Sequence, residues 1–371
     1  MSESLPIYIG DYILTEKIGK GGFATVYRGY KKGEDESMEQ IYAIKKYDEK
    51  QSKIGPEVEI LANNRITKSE DKSENIGKYV EIIEDRQNMQ KYLISKLYNG
   101  GDLRKYLTDR NNKPLKVEEI IHIMKNIING LNVIHKDGIF HSDIKPENLM
   151  VHFENKEDFE KEVKNILKSK IVIIDFGCAS LDIKKDKKQQ SELIKGTDKY
   201  MHPILIERKQ KKSVGEIELK AEKDIWSLGL VCLELLTGDL NKHYDIENNT
   251  YKIPLNENTS IELIRFIDNM LQYDSNNQIK LEALMKEPFL IDPFFHPFKE
   301  EYAGPKLKKI EGQSFLELNF RNNLNFNYDK LLKKEKDDDE LNHLINKLYI
   351  ELNENFLFTE PVLIPVIPKN N

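Results

Sequence analysis

At 371 residues, with 39% hydrophobic and 32% charged residues, the chain is long enough for two or three structural units and a sizeable core. Its formal charge of -6 is spread over both signs, which argues against nucleic acid as a partner. Cys178 and Cys232 are too few for a disulfide framework or a cysteine-built zinc site.

The opening MSESLPIYIGDY has no basic stretch before an apolar run, and no apolar segment of ~18 residues follows anywhere. A soluble intracellular protein, cytoplasmic by default and without membrane insertion, is expected. Three strands are predicted between Asp11 and Tyr47: YILTEKIG, FATVYRGY and IYAIKKY, each rich in β-branched and aromatic residues. The polar run from Lys31 to Gln40 reads as a hairpin loop. Gly55-Pro56 then precedes EVEILANN, and proline suits the first helical position because its missing N–H would have no partner there. A short helix is expected from Pro56. Two more strands, YVEII at 79–83 and KYLIS at 91–95, lead to YNGGD at 98–102, a candidate hinge.

Beyond it the period becomes helical, with Ile120, Met124, Ile127, Leu131 and Ile134 on one buried face. Short apolar strands at 148–151 and 170–174 enclose a polar insert, where Phe159, Val163 and Ile166 would line a short amphipathic helix. A strongly apolar helix is predicted at 224–238, and weaker ones at 259–272 and 279–287. No internal repeat occurs. The resulting order is a small β-rich unit, a hinge and a larger, mainly α unit carrying a strand pair. A cleft between two such units is a common place for a small-molecule site.

Gly19-Lys20-Gly21-Gly22-Phe23-Ala24-Thr25-Val26 lies between two strands, where glycines let backbone N–H groups approach a polyphosphate. A plain glycine-rich hairpin would look similar, and the strand that follows excludes Rossmann and Walker forms. Lys45, on the third strand, has the position of a phosphate-contacting lysine, with Glu57 as its expected ion-pair partner. His141, Asp143, Lys145 and Asn148, followed by Asp175-Phe176-Gly177, supply what phosphoryl transfer requires. Asp143 would accept the hydroxyl proton and Lys145 would steady the γ-phosphate. Asn148 and Asp175 would bind Mg2+, which prefers few protein ligands and oxygen donors.

On these residues the chain resembles the eukaryotic protein kinases over roughly residues 11 to 300. Gly100-Gly101-Asp102, Gly196-Thr197 and Asp224-Ile225-Trp226-Ser227-Leu228-Gly229 strengthen the resemblance. It implies an α+β, bilobal kinase fold: an N-lobe at 11–95 with one regulatory helix, a hinge at 96–101, and a mainly α C-lobe at 102–300. An extension at 1–10 and a tail at 301–371 of unassigned role would flank it. The same resemblance implies an ATP site formed by Ile18, Gly19 to Val26, Ala43, Lys45, Glu57, Ser95 and Met150. Asp224 would hold the catalytic-loop backbone, and Phe176 would pack beside His141. Lys145 and Thr197 match the serine/threonine branch, and GKGGFATVYRG is similar to Polo and Atg1/ULK-type loops. The implied activity is ATP-dependent phosphorylation of protein substrates; the sequence does not reveal the oligomeric state, and a monomer is the default. A pseudokinase scaffold and a kinase-fold enzyme acting on a small molecule are the alternatives.

Several positions depart from the family pattern. Ala24 replaces the third loop glycine, with a mild stiffening expected. Ser142 replaces the arginine that, in relatives, binds an activation-loop phosphate, so weak dependence on such phosphorylation is expected. Ile204 and Gln278 stand where a buried Glu–Arg pair is usual, an exchange that can be nearly neutral when both partners change; an alternative alignment gives Glu207 the acidic role. With Glu57 in the first turn, the helix reads as truncated, leaving less surface for an activating partner. Ser95, small at the position behind the adenine, predicts room for an enlarged adenine analogue. Glu147 and Glu234 align with acidic positions that read basic substrates in some relatives, but also occur as structural residues. The basic runs Lys184 to Lys188 and Arg208 to Lys212 read as solvated faces. In the tail, Leu341, Leu344, Leu348 and Leu352 mark an amphipathic helix, and FTEPVLIPVIPKNN is extended.

Overall fold

Alternation of apolar and polar residues from Tyr12 to Tyr47 suits strands covered unequally on their two faces. The computed structural model describes residues 5–21, 24–33, 41–47, 55–86, 88–160, 165–182, 195–211, 219–255, 259–291 and 314–319. These residues form two units. One draws on Met1–Asp109, Ile123–Thr197 and Gly215–Asp224, the other on Arg110–His122, Asp198–Val214 and Ile225–Asn371.

In the first unit, β1 (Ile7–Ile9), β2 (Tyr12–Lys20), β3 (Ala24–Lys31) and β4 (Ile41–Tyr47) are joined by β5 (Tyr79–Asp85) and β6 (Gln90–Lys96). They form one antiparallel sheet in the order β1-β2-β3-β4-β6-β5. Helix α1 (Gly55–Lys68) interrupts the strand series. One sheet face buries Ile9, Tyr12, Leu14, Tyr27, Ile44, Tyr92 and Ile94, and a separate cluster gathers Ala24, Tyr47 and Leu93. The five strands expected from the sequence are present within a residue or two at their ends. β1 lies in the segment read as an extension; three residues are too few to show a period, and pairing with β2 makes them a strand.

Helix α2 (Leu103–Asp109) follows residues 98–102, and α3 (Val117–Lys136) buries Ile120, Ile123, Met124, Ile127, Ile128, Leu131 and Ile134. β7 (Ile139–Phe140) enters the loop at 141–148, and β8 (Leu149–Phe153) leaves it. After α4 (Lys156–Glu160), β9 (Ser169–Ile173) pairs with β8, and β10 (Ser180–Leu181) pairs with β7. The single helix expected across Phe159, Val163 and Ile166 does not form as read: Phe159 lies in α4, Val163 is outside the described residues, and Ile166 opens a separate 3-10 turn. Asn165 stabilises that turn by accepting the Leu167 N–H at 3.0 Å.

The other unit contains α5 (Pro203–Lys211) and most of α6 (Ala221–Thr237), whose Trp226 is fully buried against His202 at 4.8 Å between ring centroids. Next come α7 (Leu240–His243), β11 (Tyr244–Asp245), β12 (Thr250–Leu255), α8 (Ile261–Met270), α9 (Leu281–Leu284), α10 (Pro288–Ile291) and β13 (Ser314–Asn319). Ser260 caps α8 by accepting the Leu263 N–H at 3.1 Å. Strands β11, β12 and β13 form an antiparallel sheet in that order, so part of the sequence beyond 301 is a strand. The expected tail helix and the proline-rich segment lie outside the described residues, as does the basic run at 184–188. No helix among the described residues is long and apolar enough to cross a membrane.

Candidate active site

Lys45 sits on β4, opposite Val26 of β3 and Leu93 of β6. Its Nζ donates to both Glu59 oxygens, at 3.0 and 2.8 Å, and to Asp175 Oδ1 at 2.8 Å. The expected partner, Glu57, is corrected to Glu59. Pro56, Glu59, Ala62 and Asn63 form the buried stripe of α1, whereas Glu57 is exposed on another face. Helix α1 also runs for 14 residues, so the expected short helix is not observed. Burial opposes the Lys45 ammonium, but the Glu59 and Asp175 carboxylates outweigh it and raise its pKa above the ordinary lysine value. For Asp175, burial favours the neutral acid; Lys45 and the Gly177 N–H overcome this and hold the carboxyl below the usual range.

The loop at 141–148 is fixed from the backbone outward. Buried Asp224 accepts the His141 N–H at 2.8 Å and the Ser142 N–H at 2.6 Å. These bonds accompany a left-handed Ser142, with φ of 66°, whose Oγ donates to the Phe140 carbonyl at 3.1 Å. His135, which the sequence reading missed, contacts Asp224 Oδ2 through Nε2 at 2.8 Å. Its only sequence signal is an apolar helix ending in a histidine near the loop. Burial works against charge on Asp224, but His135, His141 and Lys223 hold its pKa low. Phe176 packs on His141 with ring centroids 5.2 Å apart, and His141 Nε2 lies 2.9 Å from the Ile174 carbonyl.

Asp143 is thereby held among donors. Lys145 Nζ is 2.8 Å from Asp143 Oδ2, and the Asn148 amide donates to the same oxygen at 3.1 Å and to the Asp143 carbonyl at 2.8 Å. The Thr197 N–H donates to Asp143 Oδ1 at 2.8 Å, while Lys145 also donates to Thr197 Oγ1 at 2.5 Å. With its amide nitrogen directed at Asp143, Asn148 has its oxygen left as a donor atom for a cation. Together with the Asp175 carboxylate it makes a hard-oxygen pair, a fit for Mg2+ that also carries phosphate ligands. Among the described residues, no group of three or more His, Cys, Asp and Glu could hold a metal by itself.

The other expected site residues are placed as follows. Gly19 pairs with Val26 and Lys20 with Thr25 across β2 and β3, beside a bulge next to the half-exposed Ile18. The Gly21 N–H donates to the Ala24 carbonyl at 2.8 Å; Gly22 and Phe23 lie outside the described residues. Ser95 is opposite Ala43, whose carbonyl accepts its Oγ at 3.3 Å. Met150 pairs with Asp102 in an isolated bridge. Gly100 and Gly101 bond to β8 through Gly100 N to Val151 O at 2.9 Å and Val151 N to Gly101 O at 2.8 Å. A Cβ on Gly100 would meet Val151 O at 2.6 Å, and Gly101 has φ of 75°, so this approach requires both glycines.

Residues 12–290 match the protein kinase domain. The chain belongs to the protein kinase family. Its fold is the bilobal α+β kinase fold, with a β-rich N-terminal part and a helical C-terminal part. Relatives of this chain include the serine/threonine-protein kinase atg1 of Dictyostelium discoideum, 28% identical over 76% of this chain and 39% of that protein. The serine/threonine-protein kinase ULK3 of Mus musculus is 25% identical over 81% of this chain and 59% of its own length. Calcium-dependent protein kinase 4 of Plasmodium falciparum is 29% identical over 74% of this chain and 48% of its own. The chain thus spans less than two thirds of each of these relatives.

Family positions that have drifted are occupied without an ion pair between Ile204 and Gln278. Gln278 is buried and donates to the Met270 carbonyl at 2.7 Å. Glu207 accepts from the Tyr273 hydroxyl at 3.2 Å. Glu147 accepts from Arg104 Nε at 2.8 Å, and buried Glu234 accepts from the Tyr200 hydroxyl.

Proposed function

We propose that this kinase transfers the γ-phosphoryl group of Mg-ATP to serine or threonine hydroxyls of other proteins. The observation that carries the reading is the Asp143 carboxylate held by Lys145, Asn148 and the Thr197 N–H, in the same unit as the Lys45–Asp175 ion pair. Bound Mg-ATP would supply the electrophilic phosphorus and the leaving group. Asp143 would orient the incoming hydroxyl and take its proton; Lys145 would offset charge on the transferred group. Asn148 and Asp175 would hold magnesium, and Lys45, aligned by Glu59, would contact the nucleotide phosphates. Serine/threonine preference is supported by Lys145 and Thr197 acting together at Asp143, and by the similarity to serine/threonine-protein kinases. No observation favours the pseudokinase alternative.

Ser142 offers no cation for an activation-loop phosphate, so activity depends only weakly on that modification in this reading. The protein acts in the cytoplasm on protein substrates. Purified protein with labelled Mg-ATP and generic protein substrates should transfer label, and Asp143→Asn should reduce transfer on the order of 10²–10⁴-fold. Absent transfer, or transfer unchanged in the variant, overturns the proposal. Phosphatase pretreatment should leave most activity; near-complete loss would refute the weak dependence.

A further inference from the structure

We infer that Tyr47 is a positioning residue that holds Glu59 against Lys45 and so sets the strength of nucleotide binding. Lys45 and Tyr47 are two residues apart on β4 and share a sheet face. The buried Tyr47 hydroxyl donates to Glu59 Oε2 at 2.8 Å, and the same oxygen accepts from Lys45 at 2.8 Å. Lys45 Nζ also lies 5.6 Å from the centroid of the Tyr47 ring. One continuous chain therefore runs Tyr47, Glu59, Lys45, Asp175.

Its outer end is fixed. The Tyr47 ring packs with Ala24 and Leu93, and its backbone carbonyl accepts from the side chain of buried Gln90. Glu59, by contrast, reaches Lys45 from a helix, on a side chain with several rotatable bonds. A carboxylate that is 3% exposed needs its oxygens satisfied, and the hydroxyl selects the rotamer in which both of them face Lys45. Tyr47 touches neither phosphate nor hydroxyl in this scheme; it acts through Glu59.

The inference rests on the proposed ATP site, and its test separates the two. Mg-ATP affinity by calorimetry and kcat/KM for phosphotransfer are measured for wild type, Tyr47→Phe, Glu59→Gln and the double variant. Tyr47→Phe keeps the packed ring and should weaken both quantities about tenfold, the scale of a charge-assisted hydrogen bond. In the Glu59→Gln background it should add little, because the carboxylate it serves is gone. Unchanged affinity in Tyr47→Phe, or additive effects in the double variant, overturns the inference. If Tyr47→Phe fails to fold, fluorinated tyrosines at position 47 replace it. Affinity should follow hydroxyl acidity, and a flat series overturns the inference. Wild type that binds Mg-ATP without transferring phosphate defeats the proposed function while the binding cycle still decides the role of Tyr47.

Discussion

Replacing Glu59 with glutamine, beside Glu57→Gln as the matched control, separates two carboxylates that are neighbours in sequence and strangers in space. The Lys45–Glu59 pair has side-chain exposures of 18% and 3%, so solvent screens it weakly. Breaking a buried pair by removing one partner costs about 3–5 kcal/mol. Here Asp175 remains 2.8 Å from Lys45, which brings the expected loss to about 2–3 kcal/mol. At roughly 2–4 °C per kcal/mol, the unfolding midpoint should fall by about 5–10 °C. If about 2 kcal/mol of that alignment is also lost to the phosphate contact, kcat/KM falls by roughly 30-fold. Glu57 is exposed, and Glu57→Gln should stay within about 0.5 kcal/mol of wild type with unchanged kinetics. Differential scanning calorimetry without nucleotide, and initial rates at varied Mg-ATP, read both effects. Equal losses in the two variants, or a larger loss in Glu57→Gln, would refute the assignment.

Asp268 is fully buried with Tyr251 as donor at 2.8 Å, and burial raises its pKa from 3.8 to about 6. The folded state therefore holds the extra proton between those values, and stability falls as pH rises across that window. At pH 7.5 the ionised group opposes folding by about 3 kcal/mol, from a difference of about 2.2 between 6 and 3.8 at 1.36 kcal/mol each. Asp268→Asn should raise the midpoint at pH 7.5 and lose that advantage near pH 4; a gain independent of pH would contradict the cause. Burial, followed by Asp143 and Asp175, pushes the Cys178 thiol up to about 11. Iodoacetamide should label it far more slowly at pH 7.5 than a free thiol, with the rate climbing toward pH 11; rapid labelling at neutral pH would contradict this. Truncation at Pro305 removes β13 and leaves the Thr250–Leu255 edge unpaired. Amide exchange in β12 should then accelerate by on the order of tenfold, and unchanged protection would refute the pairing.

What the sequence determined by itself was local. Alternation in YILTEKIG and IYAIKKY set strand faces, and the period through Ile120 to Ile134 set a buried helix face. The cluster from His141 to Asn148 was legible because its members lie within one loop, where spacing alone limits how far apart they can be. Tyr47 was legible in principle too, two residues from Lys45 on a strand. Tertiary structure decided what spacing could not. Short β1 and β11 become strands only through pairing, and β13 joins β12 across a gap in sequence that no period spans. Asp224 collects N–H groups 82 and 83 residues away, together with His135. Glu57 and Glu59 differ by two positions, about 200° around a helix, so identical chemistry points in nearly opposite directions. The phase of α1 against its neighbours chooses between them, with Pro56, Ala62 and Asn63 buried on the side of Glu59.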